Sequence, residues 1–281
     1  MLIDSHCHVI ASDTGRYPHQ PLFGKQSEWS AGHSLDHPEM VKANLEAGID
    51  KAILVQASSV YGFDNSYVAD SVAAHPERFI GVFSVDVVAP DAVATMKHWM
   101  AKGLTGMRIF TSGSTHAKQE TFFADDAAHP AWTFASDQGL SICMQMRVKG
   151  LPLLESVLQR FPKARVIIDH FARAEAADGP PFVAAAPLWA LAKYPNVTLK
   201  ITHRPLEQAL KGQSTPQTFL GKAVAEFGAN RLIWGSNFPA APQPLPELIA
   251  MARNALSFLP QQDQDWIFFK TAQTLYPALA K

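Results

Sequence analysis

The sequence predicts an α/β protein that forms a single TIM-type (β/α)8 barrel over residues 1–281. Short runs of β-branched and aliphatic residues recur along the chain, and each is followed by a stretch whose apolar residues have helical spacing. Strands as apolar as these, alternating with helices, are typical of a parallel sheet that is covered on its outside. Eight such units can close on themselves, and 281 residues suit one barrel domain.

The predicted elements follow one another in strand-then-helix order. The eight strands are predicted at residues 1–3, 51–55, 78–83, 104–109, 140–144, 165–168, 196–201 and 231–234. Crossover helices are predicted, for example, at residues 38–47, 68–75, 152–161 and 217–227. Residues 11–36, rich in Pro, Gly, Ser and His, are predicted to form a long loop after the first strand. A doubly wound open sheet is the rival fold, but its Gly-rich phosphate turn is missing after the first strand.

Composition limits the classes of partner. The chain is 47% hydrophobic and carries 24 Lys plus Arg against 25 Asp plus Glu, a net charge of −1. It therefore lacks the basic excess expected for nucleic-acid or membrane-surface binding. Cys7 and Cys143 do not make a disulfide framework, and no apolar run is long enough to span a bilayer. We expect a cytoplasmic protein that acts on a small molecule, and a homo-oligomer is left open.

Polar residues at the ends of three predicted strands suggest a common site, because the active site of such a barrel lies at the carboxyl ends of its strands. His6 and His8 end the first strand and project to the same side of an extended chain, as metal ligands or as hydrogen-bond donors. His170 follows the sixth strand and Asn237 follows the eighth. Asp169 alternates with His170, so we expect it to face the outer layer of the barrel.

Taken together, the motifs resemble the amidohydrolase-related family of the amidohydrolase superfamily, and most closely its lactonase branch, typified by 2-pyrone-4,6-dicarboxylate hydrolase. The matching pieces are Asp4-Ser5-His6-Cys7-His8-Val9, Val55-Gln56, Tyr61-Gly62-Phe63-Asp64-Asn65, His75-Pro76-Glu77-Arg78-Phe79, Gly106-Met107-Arg108, Ile168-Asp169-His170-Phe171 and Trp234-Gly235-Ser236. The resemblance implies a TIM-type barrel that hydrolyses, isomerises, hydrates or decarboxylates small acidic substrates. It also implies that a member of the lactonase branch works without a metal.

The same resemblance implies roles for individual residues. His6, His8 and His170 correspond to catalytic pocket histidines, Arg108 to an arginine that grips a substrate carboxylate, and Asn237 to the family's aspartate. The other expected substrate-binding residues are Gln56, Tyr61, Asn65, Gln145, Arg147, His203 and Arg204. A second arginine soon after Arg108 is absent, so a clamp on two carboxylates of the type enzyme's kind is disfavoured. Arg147, after the fifth strand, and His203 and Arg204, after the seventh, would supply positive charge at the rim of the site in a different arrangement.

Asn237 leaves three functions open. An amide orients water but does not accept its proton near neutral pH, and loss of a positioned base costs about 10²- to 10⁴-fold in rate. The leading hypothesis is a hydrolase of a small carboxylated lactone or related cyclic acid, with His170 moving the proton. The alternatives are an isomerase or lyase on a similar acid, and a catalytically silent ligand-binding barrel. We expect no cofactor, because the site offers imidazoles and an amide without an anionic ligand; the alternative is a divalent metal such as zinc at His6, His8 and His170.

Overall fold

The structure, a computed structural model, describes residues 1–32 and 34–280 and contains within them eight parallel strands in sequential order. The strands are β1 Ile3–Cys7, β2 Lys51–Val55, β3 Phe79–Ser84, β4 Gly106–Phe110, β5 Ser141–Gln145, β6 Arg165–Ile168, β7 Val197–Ile201 and β8 Leu232–Trp234. The predicted TIM-type barrel is therefore confirmed. The first strand differs most from its prediction, since it continues through polar residues that the apolar pattern excludes.

Helices surround the strands on the outside. Those described are α1 His37–Glu46, α2 Ser58–Tyr61, α3 Ser66–Ala74, α4 Ala92–Ala101, α5 His129–Asp137, α6 Leu151–Arg160, α7 Ala186–Trp189, α8 His203–Gln208, α9 Pro216–Phe227, α10 Leu245–Leu256, α11 Gln261–Asp265 and α12 Thr271–Leu275. The four crossover helices named from the sequence are α1, α3, α6 and α9, each shifted by at most two residues at either end. Asp36 and Glu39 form a capping box at the start of α1, and Pro38 occupies its first turn. None of the described helices is long and apolar enough to cross a membrane.

The inside of the barrel is divided into an apolar lower part and a polar mouth. Along β2, Ile53 and Val55 point inwards, whereas the alternate residues pack against the helices. Tyr276 and Leu279, from the end of the chain, join this inner cluster. They lie near the strand starts, where the Ser141 hydroxyl donates to the carbonyl of Leu275 at 3.1 Å. The amino-terminal end is thus plugged, and the carboxyl ends of the strands are left for the site.

The barrel closes just beyond β8, and this closure shapes the site. The backbone amide of Asn237 donates to the carbonyl of His6 at 2.7 Å, and that of His8 donates to the carbonyl of Phe238 at 2.9 Å. The Asp4 carboxylate accepts from the Ser236 amide at 2.8 Å. The predicted loop 11–36 contains short helical turns in its described part, and Leu35 forms an isolated antiparallel bridge with Ile10. The loop brings Trp29 against the ring of His8, with 5.4 Å between ring centroids.

Candidate active site

Three histidines predicted from the sequence meet at the carboxyl ends of the strands. The ring of His6 lies 4.9 Å from that of His8 and 4.9 Å from that of His170, measured between centroids. All three are buried. His170 begins a run of four residues with φ between 52° and 56°. This left-handed turn, unusual for residues other than glycine, directs the side chain of His170 back towards β1.

A cavity of about 50 Å³ opens beside these rings. His8, Arg108, His170 and Asn237 line it, together with Gln145, Arg173, Arg204 and Trp29 among others. His6 does not line it, because the ring lies fully buried behind those of its two histidine neighbours. The structure therefore brings four of the five principal predicted residues to one cavity and places the fifth in contact with two of them.

A buried ion cluster lies below the histidines and was not predicted. The Lys200 ammonium lies 3.0 Å from Oδ1 of Asp169, and Nη2 of Arg108 lies 3.6 Å from the other carboxylate oxygen. Lys200 also lies 3.2 Å from Nδ1 of His6 and 3.4 Å from the Cys143 sulfur. One carboxylate thus bridges two cations at the floor of the site.

The expectation that Asp169 faces the outer layer is wrong. Along β6, Ile167 points inwards and Ile168 outwards, so simple alternation already turns Asp169 inwards. His170 would then point outwards in extended chain, but its left-handed backbone returns it to the interior. Both side chains therefore enter the barrel, which a pattern of period two does not predict.

Lys200 is the functional candidate that sequence reasoning missed. In β7, residues Val197, Leu199 and Ile201 pack outwards, so Thr198 and Lys200 point inwards. The signal in the sequence is a lysine at an inward position of an apolar strand. A lysine is almost never fully buried unless it is paired, so this position implies a buried acidic partner.

Burial and neighbouring charge set the ionisation of the cluster. Burial by itself raises the pKa of Asp169, but Lys200, followed by His6 and Arg108, holds that pKa well below its usual value. Burial opposes the charge of Lys200 as well, and Asp169 nevertheless raises its pKa. The cluster is therefore an ion pair, with Arg108 as a second cation.

The three histidines are neutral at physiological pH. Burial lowers the pKa of His8 to about 3, with Arg108 as the next cause. Burial and Lys200 lower the pKa of His6 well below its usual value, and burial and His6 do the same for His170. What each ring does chemically thus depends on its tautomer.

The hydrogen bonds assign complementary tautomers to His6 and His8. Nδ1 of His8 lies 2.7 Å from the carbonyl of Val55 and must donate to it, which leaves a lone pair on Nε2. Nδ1 of His6 lies 3.2 Å from the Lys200 ammonium, which can only donate, and 3.6 Å from Oδ1 of Asp169; the shorter contact makes Nδ1 the acceptor, so Nε2 of His6 carries the proton. That nitrogen is buried without a partner among the described residues. Nδ1 of His170 lies 2.8 Å from the Thr202 hydroxyl, which allows either tautomer.

Comparison with known proteins places this site in a family. Residues 3–278 match the sequence family described as Amidohydrolase. The chain belongs to this family. It is 26% identical over 246 residues to L-fucono-1,5-lactonase of Burkholderia ambifaria, covering 85% of this chain and 80% of that protein.

Two other proteins show the same likeness. 4-Sulfomuconolactone hydrolase of Rhizobium radiobacter is 27% identical over 203 residues, which cover 68% of this chain and 62% of that protein. The crystal structure of an amidohydrolase from Burkholderia multivorans with bound zinc superposes with a TM-score of 0.77 at 18% identity, covering 99% of each chain. The predicted resemblance to the amidohydrolases is confirmed, and the two sequence relatives carry the names of lactone hydrolases.

The structure places three of this amidohydrolase's predicted substrate-binding residues outside the cavity. The Gln56 amide donates to the carbonyl of Gly62 at 3.3 Å, the Tyr61 hydroxyl accepts from the Ala11 amide at 2.7 Å, and the Asn65 amide donates to the carbonyl of Ser84 at 2.9 Å. None of the three lines the cavity. They stabilise the loop after β2, because buried backbone groups need partners there.

The other predicted residues lie at the cavity or its rim. Gln145 lines the cavity and accepts from Nη2 of Arg108 at 2.9 Å. Arg204 lines the same cavity, Arg147 lines an adjoining outer cleft, and His203 is buried beside them. Arg108 also donates through Nη1 to the carbonyl of Gln56 at 2.9 Å, so the protein itself engages both ends of its guanidinium.

The donor set fits a divalent metal poorly. His6, Asp169 and His170 place one ligand atom each within 4.8 Å of one another. Nε2 of His6, however, carries a proton in the tautomer that Lys200 imposes. The Asp169 carboxylate already lies between two cations, Lys200 and Arg108. A third cation at this point would be repelled by both, since buried charges are weakly screened.

Proposed function

We propose that this amidohydrolase is a lactonase that opens a small carboxylated lactone, or a related cyclic acid, without a divalent metal. The observation that carries this proposal is the pairing of a hydrogen-bond donor and an acceptor on adjacent neutral imidazoles. Nε2–H of His6 is a buried donor without a partner among the described residues, and Nε2 of His8 is left as an acceptor next to the side chain of Asn237. The two lactone hydrolases among its sequence relatives support this substrate class.

In this mechanism the histidines divide the work. Because His6 does not line the cavity, the lactone carbonyl must displace the neighbouring rings slightly to reach Nε2–H of His6; that donor then stabilises the oxyanion, a contribution worth about 10²- to 10³-fold in rate. From the sequence we expected His8 to act as a metal ligand or a hydrogen-bond donor, but its bond to Val55 leaves Nε2 as an acceptor, so in this mechanism it orients the attacking water. Asn237, which also lines the cavity, positions the same water.

His170 moves the proton. It accepts a proton from the water as the new carbon–oxygen bond forms, and it gives that proton to the ring oxygen as the ester bond breaks. The Thr202 hydroxyl accommodates both forms, because it can donate or accept at Nδ1. Negative charge developing on the substrate raises the basicity of His170, which offsets the lowering of its pKa by burial. Arg108 orients the substrate carboxylate from the floor of the cavity.

The test is hydrolysis of sugar-acid, muconate-derived and pyrone lactones, measured with and without a chelator. We expect turnover that survives the chelator and falls about 10²-fold or more in His6→Ala, mainly in kcat. His98→Ala, at an exposed position on α4, is the matched control and should behave as the unaltered protein. Activity that disappears with chelator and returns with zinc or manganese would refute the metal-free mechanism.

The same experiment separates the alternative functions. Conversion of a cyclic or unsaturated acid without consumption of water would support an isomerase or lyase. Asn237 favours this alternative, because neither reaction needs a base that takes a proton from an attacking water. Binding of small acids without conversion of any of them would support a ligand-binding barrel. Either result would overturn the lactonase proposal.

A further inference from the structure

A cluster of three arginines lies beside the proposed catalytic histidines, and none of the three forms a salt bridge within the described residues. Arg147, Arg173 and Arg204 follow β5, β6 and β7. In the described part of the chain no carboxylate lies within 4.0 Å of any of their guanidinium nitrogens; the surface residue Arg16, by contrast, pairs with Asp70 at 2.7 Å. The Nε of Arg173 is buried and has no hydrogen-bond partner among the described residues.

The charges of these arginines oppose one another. Burial lowers the pKa of Arg173 to about 10, with Arg204 and Arg147 as the further causes. Arg204 is also half-buried, and only Glu207 acts on it with the opposite sign. A fold gains nothing in stability from an uncompensated, partly buried group of like charges. Glu175 and Glu207 line the same cleft but lie beyond salt-bridge distance of these guanidinium groups, so the cluster keeps positive charge that an anion from outside the chain can compensate.

The cluster lies where a substrate must extend. The inner cavity of about 50 Å³ holds only a few water molecules, so a lactone that places its carbonyl there projects outwards. An adjoining cleft of about 230 Å³ is lined by the three arginines, Lys211 and His170, and also by Glu175 and Glu207, neither of which forms a salt bridge with an arginine of the cluster. Arg173, Arg204 and His170 line both spaces. A substituent leaving the inner cavity on this side meets the guanidinium groups directly.

A buried histidine next to these arginines, outside the lining of both spaces, is a second unsatisfied group. His203 is only 4% exposed, and its Nδ1 has no partner in the described structure. Burial lowers its pKa to about 4, and Arg204 and Arg173 contribute to the shift. The ring is therefore neutral, and one nitrogen remains free to donate to an anion next to these arginines.

Arg108 by itself does not supply all the positive charge available to an anionic substrate. Both of its terminal nitrogens donate to Gln56 and Gln145 and Asp169 offsets its charge, although its Nε, like that of Arg173, has no hydrogen-bond partner among the described residues. From this contrast, and resting on the proposed lactonase function, we propose that Arg147, Arg173 and Arg204, with His203, form a second anion-binding subsite. It would hold an oxyanion substituent of the lactone, a carboxylate, sulfonate or phosphate, in addition to the group that Arg108 orients. The preferred substrates then carry two anionic groups, contrary to what the missing second arginine after Arg108 suggests.

Binding of inorganic phosphate tests the subsite without reference to catalysis. At constant ionic strength set with chloride, calorimetric titration should show saturable binding that Arg173→Gln and Arg204→Gln each weaken about 10-fold or more, the usual value of a charge-assisted contact. Arg173→Lys should recover part of the loss. Arg160→Gln, exposed at the end of α6 and hence at the opposite end of the barrel, is the matched control.

A stability measurement shows whether the arginines serve folding instead. Arg173 has no acidic partner, so Arg173→Gln should leave the Tm unchanged or raise it by relieving repulsion from Arg204 and Arg147. A large fall in the Tm of both Arg173→Gln and Arg204→Gln would assign these residues to the fold and overturn the subsite. If Arg173→Gln does not fold, the Tm and the phosphate affinity of Arg204→Gln test the subsite instead, because the two residues follow different strands.

Kinetics with matched lactones separates the subsite from the proposed function. The ratio of kcat/KM for a lactone with two anionic groups to that for its singly charged counterpart should fall about 10-fold in Arg173→Gln. Phosphate binding that depends on Arg173, with no lactone hydrolysed, would retain the subsite and refute the lactonase. If Arg173→Gln leaves the kcat/KM ratio of the two lactones unchanged, and Arg173→Gln and Arg160→Gln bind phosphate with equal affinity, the subsite is refuted and the lactonase is retained.

Discussion

Replacement of Lys200 by methionine tests the buried ion cluster, because it removes one charge of three at nearly constant side-chain length. At an effective dielectric constant of about 20, the 3.0 Å pair of Lys200 with Asp169 contributes ~5.5 kcal/mol of attraction, and the 3.6 Å pair of Arg108 with Asp169 contributes ~4.6 kcal/mol. Lys200→Met thus leaves one anion facing one cation. Asp169→Asn leaves two cations without their shared anion.

The two substitutions should therefore differ in cost. Breaking a buried pair costs about 3 to 5 kcal/mol in the free energy of unfolding, because the remaining charge stays buried without its partner; the cost is below the full attraction because the desolvation of the removed charge is recovered. We expect ~3 kcal/mol for Lys200→Met and ~5 kcal/mol for Asp169→Asn. The double variant should cost about 2 to 3 kcal/mol less than the sum of the single changes, since positions 169 and 200 are then both neutral and only Arg108 keeps an unpaired charge.

Unfolding in urea measures these differences, with Lys163→Met at an exposed position as the matched control. The folded-state pKa of Asp169 lies below its unfolded value, so the stabilisation is present above about pH 4 and is lost as the pH falls through the folded pKa. The double variant should lose less stability than the unaltered protein on acidification. A cost for Lys200→Met below about 1 kcal/mol, or equal to that of Asp169→Asn, would refute the account of a carboxylate shared by two cations.

Lys200→Met should also lower kcat with little effect on KM. Without the ammonium at Nδ1, His6 is free to place its proton on either nitrogen, and part of the population no longer presents a donor to the substrate carbonyl. The loss is about 10- to 100-fold, smaller than that of His6→Ala, because the ring itself remains. Steady-state kinetics on the folded variant checks this; unchanged kcat would show that Lys200 does not set the tautomer.

Three further outcomes follow from the geometry of the site. Asn237→Asp should raise the rate of lactone hydrolysis about 10²-fold or more, because it restores a proton acceptor at a residue whose φ of 61° both asparagine and aspartate tolerate. If the unaltered protein instead turns over lactones quickly and Asn237→Asp loses that activity, the amide is an adapted catalytic group. The log of kcat/KM should stay nearly level from pH 8 to about pH 5, because the pKa of His8 is about 3 and those of His6 and His170 are also lowered. A fall in kcat/KM at low pH with a pKa near 6.5 would contradict the burial of these rings. Gly235→Ala should reduce kcat about 10²-fold, because the added Cβ would lie 2.7 Å from Cβ of His6 and displace that ring. An unchanged kcat in the folded variant would show that catalysis tolerates such a shift of His6.

The sequence by itself determined the barrel and the general place of the site. Apolar runs with β-branched residues, separated by helical patterns, predicted all eight strands, because strands buried on both faces need apolar side chains throughout. His6 and His8 were correctly placed on one side, since extended backbone fixes that alternation over two residues. The rule that such barrels carry their sites at the strand carboxyl ends then directed attention to His170, Arg108 and Asn237.

Tertiary structure alone decided the electrostatics of the site. Alternation did not reveal that both Asp169 and His170 face inwards, because the left-handed turn after β6 ends the extended chain at that point. Lys200 lies 194 positions from His6, yet its contact fixes the tautomer of that ring. Tyr61 looked like a ligand contact but serves the loop backbone. Local patterns determine which way a side chain points along one strand, whereas charge pairing depends on which strands the closed barrel brings together.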